Sequence, residues 1–268
     1  MAWGRTDAHS LDLRGKPLGS VPDALRELTH LRDLGLSRTG LTDVPDWLWS
    51  FADLESLNLS ENQITSVGEG IGNLSHLTML DLGHNELSSL PDALGDLTGL
   101  SDYLYLSHNR LGSFPAFLGH LSRLKYLNVT HNGLDALPEA IGDMASLREL
   151  RLYDNRLVSL PEAIGRLTNL RELHLSNNAL ELLPAALGEL SSLRILDLRN
   201  NHLRRLPNNF GRLTDVAYLD LRANCLSALP SALAELPRLE KLDARWNKLD
   251  AVPAWVDDLE RRGCAVLL

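Results

Sequence analysis

One polar residue recurs through this chain with near-constant spacing. Asn62, Asn85, Asn109, Asn132, Asn155, Asn178, Asn201, Asn224 and Asn247 stand 23 residues apart, except for one step of 24 between Asn85 and Asn109. Thr39 and Lys16 fall on the same register upstream, which gives eleven units from about Ser10 onward. A period of this size specifies a stack of like units, each burying its apolar face against its neighbours. The consensus, LxxLxLxxNxLxxLPxxLGxLxx, is nearly intact from Leu147 to Asn169 (LRELRLYDNRLVSLPEAIGRLTN). Its LxL core alternates an inward leucine with an outward residue, the period of a strand. The apolar residues of LPxxLGxL return at three- to four-residue spacing and predict a short helical or 3₁₀ turn. Pro91, Pro138, Pro161 and Pro184 sit where that turn begins, where no backbone donor is needed, and Gly95, Gly142 and Gly165 leave room for a neighbouring backbone. The expected class is an α/β solenoid.

The nine asparagines are predicted to be structural. A side-chain amide at the turn after the strand can satisfy backbone groups of its own coil and of the next, which would otherwise be buried bare.

These leucines, the in-register asparagines and the LPxxLGxL half resemble the leucine-rich repeat family. The match is to the 23-residue subtype seen in Ras-group, scaffold and many bacterial repeat proteins. The resemblance implies a right-handed horseshoe with a parallel sheet on the concave side and short turns on the convex side. It implies no reaction. One domain is expected over 1–268, with an N-terminal cap and first repeat in 1–18 and a C-terminal cap in 250–268. Tryptophans in PDWLWSF (Pro45–Phe51) and PAWVDDL (Pro253–Leu259) are expected to cover open ends of the core, and the missing asparagine at Lys16 and Thr39 suits a solvent-facing cap. CAVLL reads as a truncated last strand with Ala265 and Leu267 inward and Val266 and Leu268 outward.

Charge and composition narrow the partners. A net charge of -9 and a pI near 5.5 argue against a phosphate-backbone binder, so no nucleic acid is expected. No run of about 18 apolar residues exists to cross a membrane. The start, MAWGRTDAHS, lacks a secretory signal, and two cysteines, Cys225 and Cys264, fit a reducing compartment. The expected location is cytoplasmic, or outside the cell by a signal-peptide-independent route if the protein is an effector. Arginine outnumbers lysine 22 to 4, a hint of a GC-rich bacterial genome.

Numbered from the first leucine of LxxLxLxxN, positions three, five, seven and eight are expected to face the concave groove. All five tyrosines fall there: Tyr103, Tyr105, Tyr126, Tyr153 and Tyr218. Tyrosine favours strands, but it also supplies large contact area with a polar tip, which suits an interface. The extra residue of the 24-residue unit lies just before Tyr103 and predicts a bulge or a swollen turn. His84, His108 and His131 form a row in three successive units, and Arg151, His174 and Trp246 share the face. The histidine row can stack or meet a partner; convergent metal ligation is not expected of a row, and no cofactor is expected. Asp197/Arg199, Asp220/Arg222 and Asp243/Arg245 repeat a D-x-R pattern that reads either as a self-satisfied ladder or as charge offered to a partner. Cys225, with His202 and Lys248 at equivalent positions of the neighbouring units, reads as a free thiol rather than a nucleophile. No other catalytic motif is present, so no enzyme is expected. The expected function is a protein- or peptide-binding module centred on the middle units, with self-association through the C-terminal edge or action as a bacterial effector as alternatives. A monomer is expected, with an edge-mediated dimer as the other possibility.

Overall fold

The computed structural model describes residues 9–268. Twelve short strands, β1 (Ser10–Asp12) to β12 (Ala265–Leu267), make one parallel sheet in chain order, each strand paired with the next. From β1 to β11 each strand covers positions three to five of its unit, and its central leucine is buried in the core, as Leu80, Leu104, Leu127 and Leu150 show. Between the first eleven strands run ten five-residue 3₁₀ turns. A proline precedes nine of them and Gly68 the tenth. The fixed φ of proline starts the turn, and its missing N–H costs nothing there. A Cβ on Gly142 would lie 2.5 Å from the Ala163 carbonyl, so the coils stack too closely for any side chain at that position.

The asparagines form the predicted ladder. Asn132 donates to the carbonyls of Val129 (3.2 Å) and Thr130 (3.0 Å) in its own coil and of Leu106 (2.9 Å) in the coil before, while its oxygen accepts from the Leu111 N–H. The same pattern runs from Asn62 to Asn247. Thr39 departs from expectation: it is buried rather than solvent-facing, and its hydroxyl bonds the Leu36 carbonyl at 2.7 Å, doing part of an asparagine's work.

The extra residue of the 24-residue unit is absorbed before the strand. In the regular unit that follows, the N–H groups of Arg148 and Glu149 share the Lys125 carbonyl. Across the longer unit that pair is split: Lys125 donates to the Ser101 carbonyl and Tyr126 to that of Asp102. The result is a bulge at Ser101–Asp102, and the ladder beyond it continues in register with Met79 opposite Tyr103.

The ends correct two further expectations. Trp49 is buried and interlocks two coils instead of covering an open end: its ring lies where a Cβ on Gly70 would come within 2.6 Å. Trp255 does sit on the core, just before α1 (Val256–Arg261), an α-helix that replaces the 3₁₀ turn of the last coil. In β12, Leu242 pairs with Val266, so Val266 packs inward while Ala265 and Leu267 face outward. The step there is 24 residues, and a one-residue slip exchanges the faces of a strand.

Candidate partner-binding face

Position five of most coils holds a device that the periodicity did not announce. In seven of the first eleven coils an Asp or Asn there accepts from the N–H of position seven, at 2.9–3.4 Å: Asp12, Asn58, Asp81, Asn128, Asp197, Asp220 and Asp243. This Asx-type bond secures the turn that leaves the strand. Small residues at position seven, expected to face the groove, are buried whether their coil has this bond, as at Ser60 and Thr130, or lacks it, as at Ser107 and Ser176. Four coils lack the acceptor, and three of them are in the middle: Tyr105, Arg151 and His174 stand in its place. Each gives up a local hydrogen bond, worth about 1 kcal/mol, for a large outward side chain.

Those side chains meet. Tyr103, Tyr105 and Tyr126 pack as a triangle, with ring centres 5.9 Å (Tyr103–Tyr105), 5.5 Å (Tyr103–Tyr126) and 4.9 Å (Tyr105–Tyr126) apart. Tyr126 is buried at its base, Tyr105 is half-buried, and Tyr103 is 41% exposed. Burial pushes the Tyr126 hydroxyl up to about 12 and raises that of Tyr105 as well, so both stay neutral donors near neutral pH. The Arg151 guanidinium lies 5.5 Å from the centre of the Tyr126 ring and is held by Glu149 at 2.6 Å. Glu149 was not singled out from the sequence, although the alternation of the strand places it on this face.

Beside the triangle runs the histidine row. His84 and His108 stack with centres 4.0 Å apart, as do His108 and His131, and His131 then meets the edge of Tyr153 at 6.0 Å. Burial, and then the neighbouring imidazoles His84 and His131, lower the pKa of His108. His131 also contacts Asp154 at 3.0 Å. The row occupies position eight, which is left-handed in ten successive coils, with φ from 52° to 62° and no glycine among them. Stacked rings present faces rather than converging lone pairs. Glu149, Glu172 and His174 do bring ligand atoms within 4.8 Å of one another. They are already engaged, Glu149 with Arg151 and Glu172 with His174 at 3.2 Å.

The C-terminal coils differ. Arg222 grips Asp220 through Nε (2.9 Å) and Nη2 (2.5 Å), and Arg245 grips Asp243 at 2.9 and 2.7 Å. Arg222 also reaches Asp243 at 3.5 Å. Burial pushes the nearly inaccessible Asp243 carboxyl up, and the bonds and charges of Arg245 and Arg222 more than offset this, leaving it below the usual range. Two of the three D-x-R pairs are thus closed ladders; Arg199 keeps only its backbone bond to Asp197 and forms no ion pair among the described residues. A cavity of about 280 Å³ opens there, lined in part by His174, Ile195, Arg199 and Tyr218. Tyr218 stands apart from the other tyrosines and donates to Glu240 at 2.8 Å. Trp246 is 68% exposed, with Arg245 over its ring. Cys225 is half-buried, and neither His202 nor Lys248 makes a hydrogen bond to its sulfur.

No curated protein matches the sequence. Solved structures do. A leucine-rich repeat protein of Leptospira interrogans is 25% identical with a TM-score of 0.56, over 97% of this chain and 84% of that one. The plant peptide hormone receptor RGFR1, solved in complex with RGF2, is 27% identical with a TM-score of 0.75, over 96% of this chain and 47% of its own. An internalin (inlF) of Listeria monocytogenes shares the fold at 21% identity and a TM-score of 0.70, covering 96% and 86% of the two chains. Family models match as well: a leucine-rich repeat region over 112–195, and leucine-rich repeats over 53–111, 102–121 and 192–213. With those matches running from residue 53 to 213 and a parallel sheet in which nine successive coils carry the in-register asparagine, the chain belongs to the leucine-rich repeat family.

Proposed function

We propose that the protein binds a partner protein or peptide on its concave face, centred on Tyr103, Tyr105, Tyr126 and Arg151. The observation that carries this reading is the substitution at position five. In the middle coils Tyr105, Arg151 and His174 replace an acceptor that fastens the turn in most other coils. A chain selected for stability alone has no reason to give up those bonds; a contact surface does. Tyrosine and arginine are the side chains most often found to dominate binding energy, and here they are held in place by one another before any partner arrives. The peptide-bound plant receptor supports the class of ligand, as a property of that receptor.

The test is capture of partners from a lysate by the wild type and by Tyr103→Ala with Tyr105→Ala. Tyr126 is the wrong residue to truncate, because it is buried and its loss opens a hole. The double variant keeps its melting temperature within a few degrees and loses the specific partner. Retention of every wild-type partner by the folded variant overturns the proposal. Self-association through the C-terminal edge rests now on Leu267, Leu268, Trp246 and Val252 rather than on Val266, and a mass by light scattering that rises with concentration would favour it.

A further inference from the structure

The rim where each coil enters its strand carries charge that the concave face does not use. In four consecutive coils the residue just before the strand is Lys125, Arg148, Arg171 and Arg194. The strands β6 (Tyr126–Asn128), β7 (Glu149–Arg151), β8 (Glu172–His174) and β9 (Ile195–Asp197) pair in register, so these cations form one row with roots about 4.8 Å apart. Lys125 is engaged with Asp102 at 2.9 Å. Arg148, Arg171 and Arg194 are exposed, and their side chains make neither ion pair nor hydrogen bond among the described residues. Two positions earlier in each coil stand Arg123, Ser146, Asn169 and Ser192, a parallel row that offers donors and no carboxylate. Part of both rows lines one shallow depression.

The same rim is neutralised elsewhere. Arg32 pairs with Glu55 at 3.1 Å, Thr78 and Asp102 follow, and beyond Arg194 come Ala217 and Glu240, with Asp215 held by Arg238 at 2.8 Å. The cationic strip is therefore bounded by acids at both ends, on a chain whose net charge is -9. Unpaired like charges about 5 Å apart repel, and opposite charge on a partner relieves that repulsion while guiding the encounter.

We propose that this strip binds an acidic segment of a partner protein. Three steps of about 4.8 Å give a track of roughly 14 Å, the length of four or five extended residues. A nucleic acid suits it poorly: its phosphates continue past both ends onto Asp102, Asp215 and Glu240. The strip lies outside the aromatic triangle and needs none of its residues, so the two readings stand or fall separately.

Fluorescence polarisation with a labelled hexaglutamate peptide, at about 25 mM salt where surface charges are weakly screened, tests the assignment. The wild type binds the peptide, and the affinity falls steeply by 150 mM salt. The variant carrying Arg148→Gln, Arg171→Gln and Arg194→Gln binds at least about tenfold more weakly, with a shallower salt dependence. Arg32→Gln, at the same position of its coil but paired with Glu55, and Tyr103→Ala with Tyr105→Ala both bind as the wild type does. No binding at low salt, an equal loss in Arg32→Gln, or tighter binding of a single-stranded oligonucleotide of equal charge overturns the proposal.

Discussion

The coils around β5 (Tyr103–Tyr105) to β7 and those around β9 to β11 (Lys241–Asp243) offer the same sheet positions and fill them to opposite effect. At the C-terminal end, aspartates at position five fasten the turn and also grip the arginine two residues on, so most of the charge there is spent inside the protein. In the middle, tyrosines and an arginine take those positions, lean on one another, and leave Tyr103 open to solvent. The difference shows that a row of charges on a repeat is not by itself a recognition surface. What marks one is the loss of the turn-fastening bond in favour of large side chains that lean on one another and stay partly open to solvent.

The comparison can be broken at several points. The largest effect belongs to the part the two regions share. Asn132→Ala strips partners from three carbonyls and the Leu111 N–H, and is expected to cost on the order of 3 kcal/mol in urea unfolding. Asn224→Ala, on an equivalent network, should cost about the same; a much smaller loss at either site would mean the ladder is not the common frame. Next comes Asp243→Ala, which removes a nearly inaccessible carboxylate from Arg222 and Arg245. A loss of about 2 kcal/mol is expected, and no loss would show that the C-terminal charges do not close on themselves.

For the middle coils, Tyr105→Asp restores an acceptor at position five. A rise of about 1 kcal/mol in stability with loss of partner capture is the signature of a position given over to binding, whereas a fall in stability would undo that reasoning. The smallest effect is a dependence on pH. Because His108 titrates below its ordinary value near 6.5, the unfolded chain binds its proton first. Its contribution is complete above about pH 6.5 and is lost as the pH falls through the lowered value in the fold. The melting temperature of His108→Gln should therefore fall less between pH 7 and pH 5 than that of the wild type.

Much of the architecture was legible because one period governs it. Leucine alternation placed β1 to β11, proline placed the 3₁₀ turns, and asparagine placed the ladder, each through a local requirement repeated in every coil. What escaped the reading depends on neighbours or on backbone geometry. The slip at Val266 follows from α1 replacing the shorter turn, which lengthens the last step by one residue. The left-handed backbone at His84, His108 and His131 carries no glycine to announce it. On the candidate face, the clustering of tyrosine was visible as a count, and the triangle could be anticipated from register alone. The Asx bonds at position five were written in the sequence as Asp or Asn two residues before position seven. They passed as outward charge, since only the geometry of the turn shows where those oxygens point. The arginines of the rim were hidden by the net acidity of the chain, an average that conceals a local excess.

The asparagine ladder also gives the molecule a direction. The amide of Asn85 bonds the Leu59 carbonyl and the Ile64 N–H, both in the coil before it, and every later asparagine does the same one step on. No turn is finished by its own residues; each waits for its successor. A chain emerging from a ribosome would thus always trail one incomplete loop, and order would travel from the amino toward the carboxyl end, as a zip closes behind its slider.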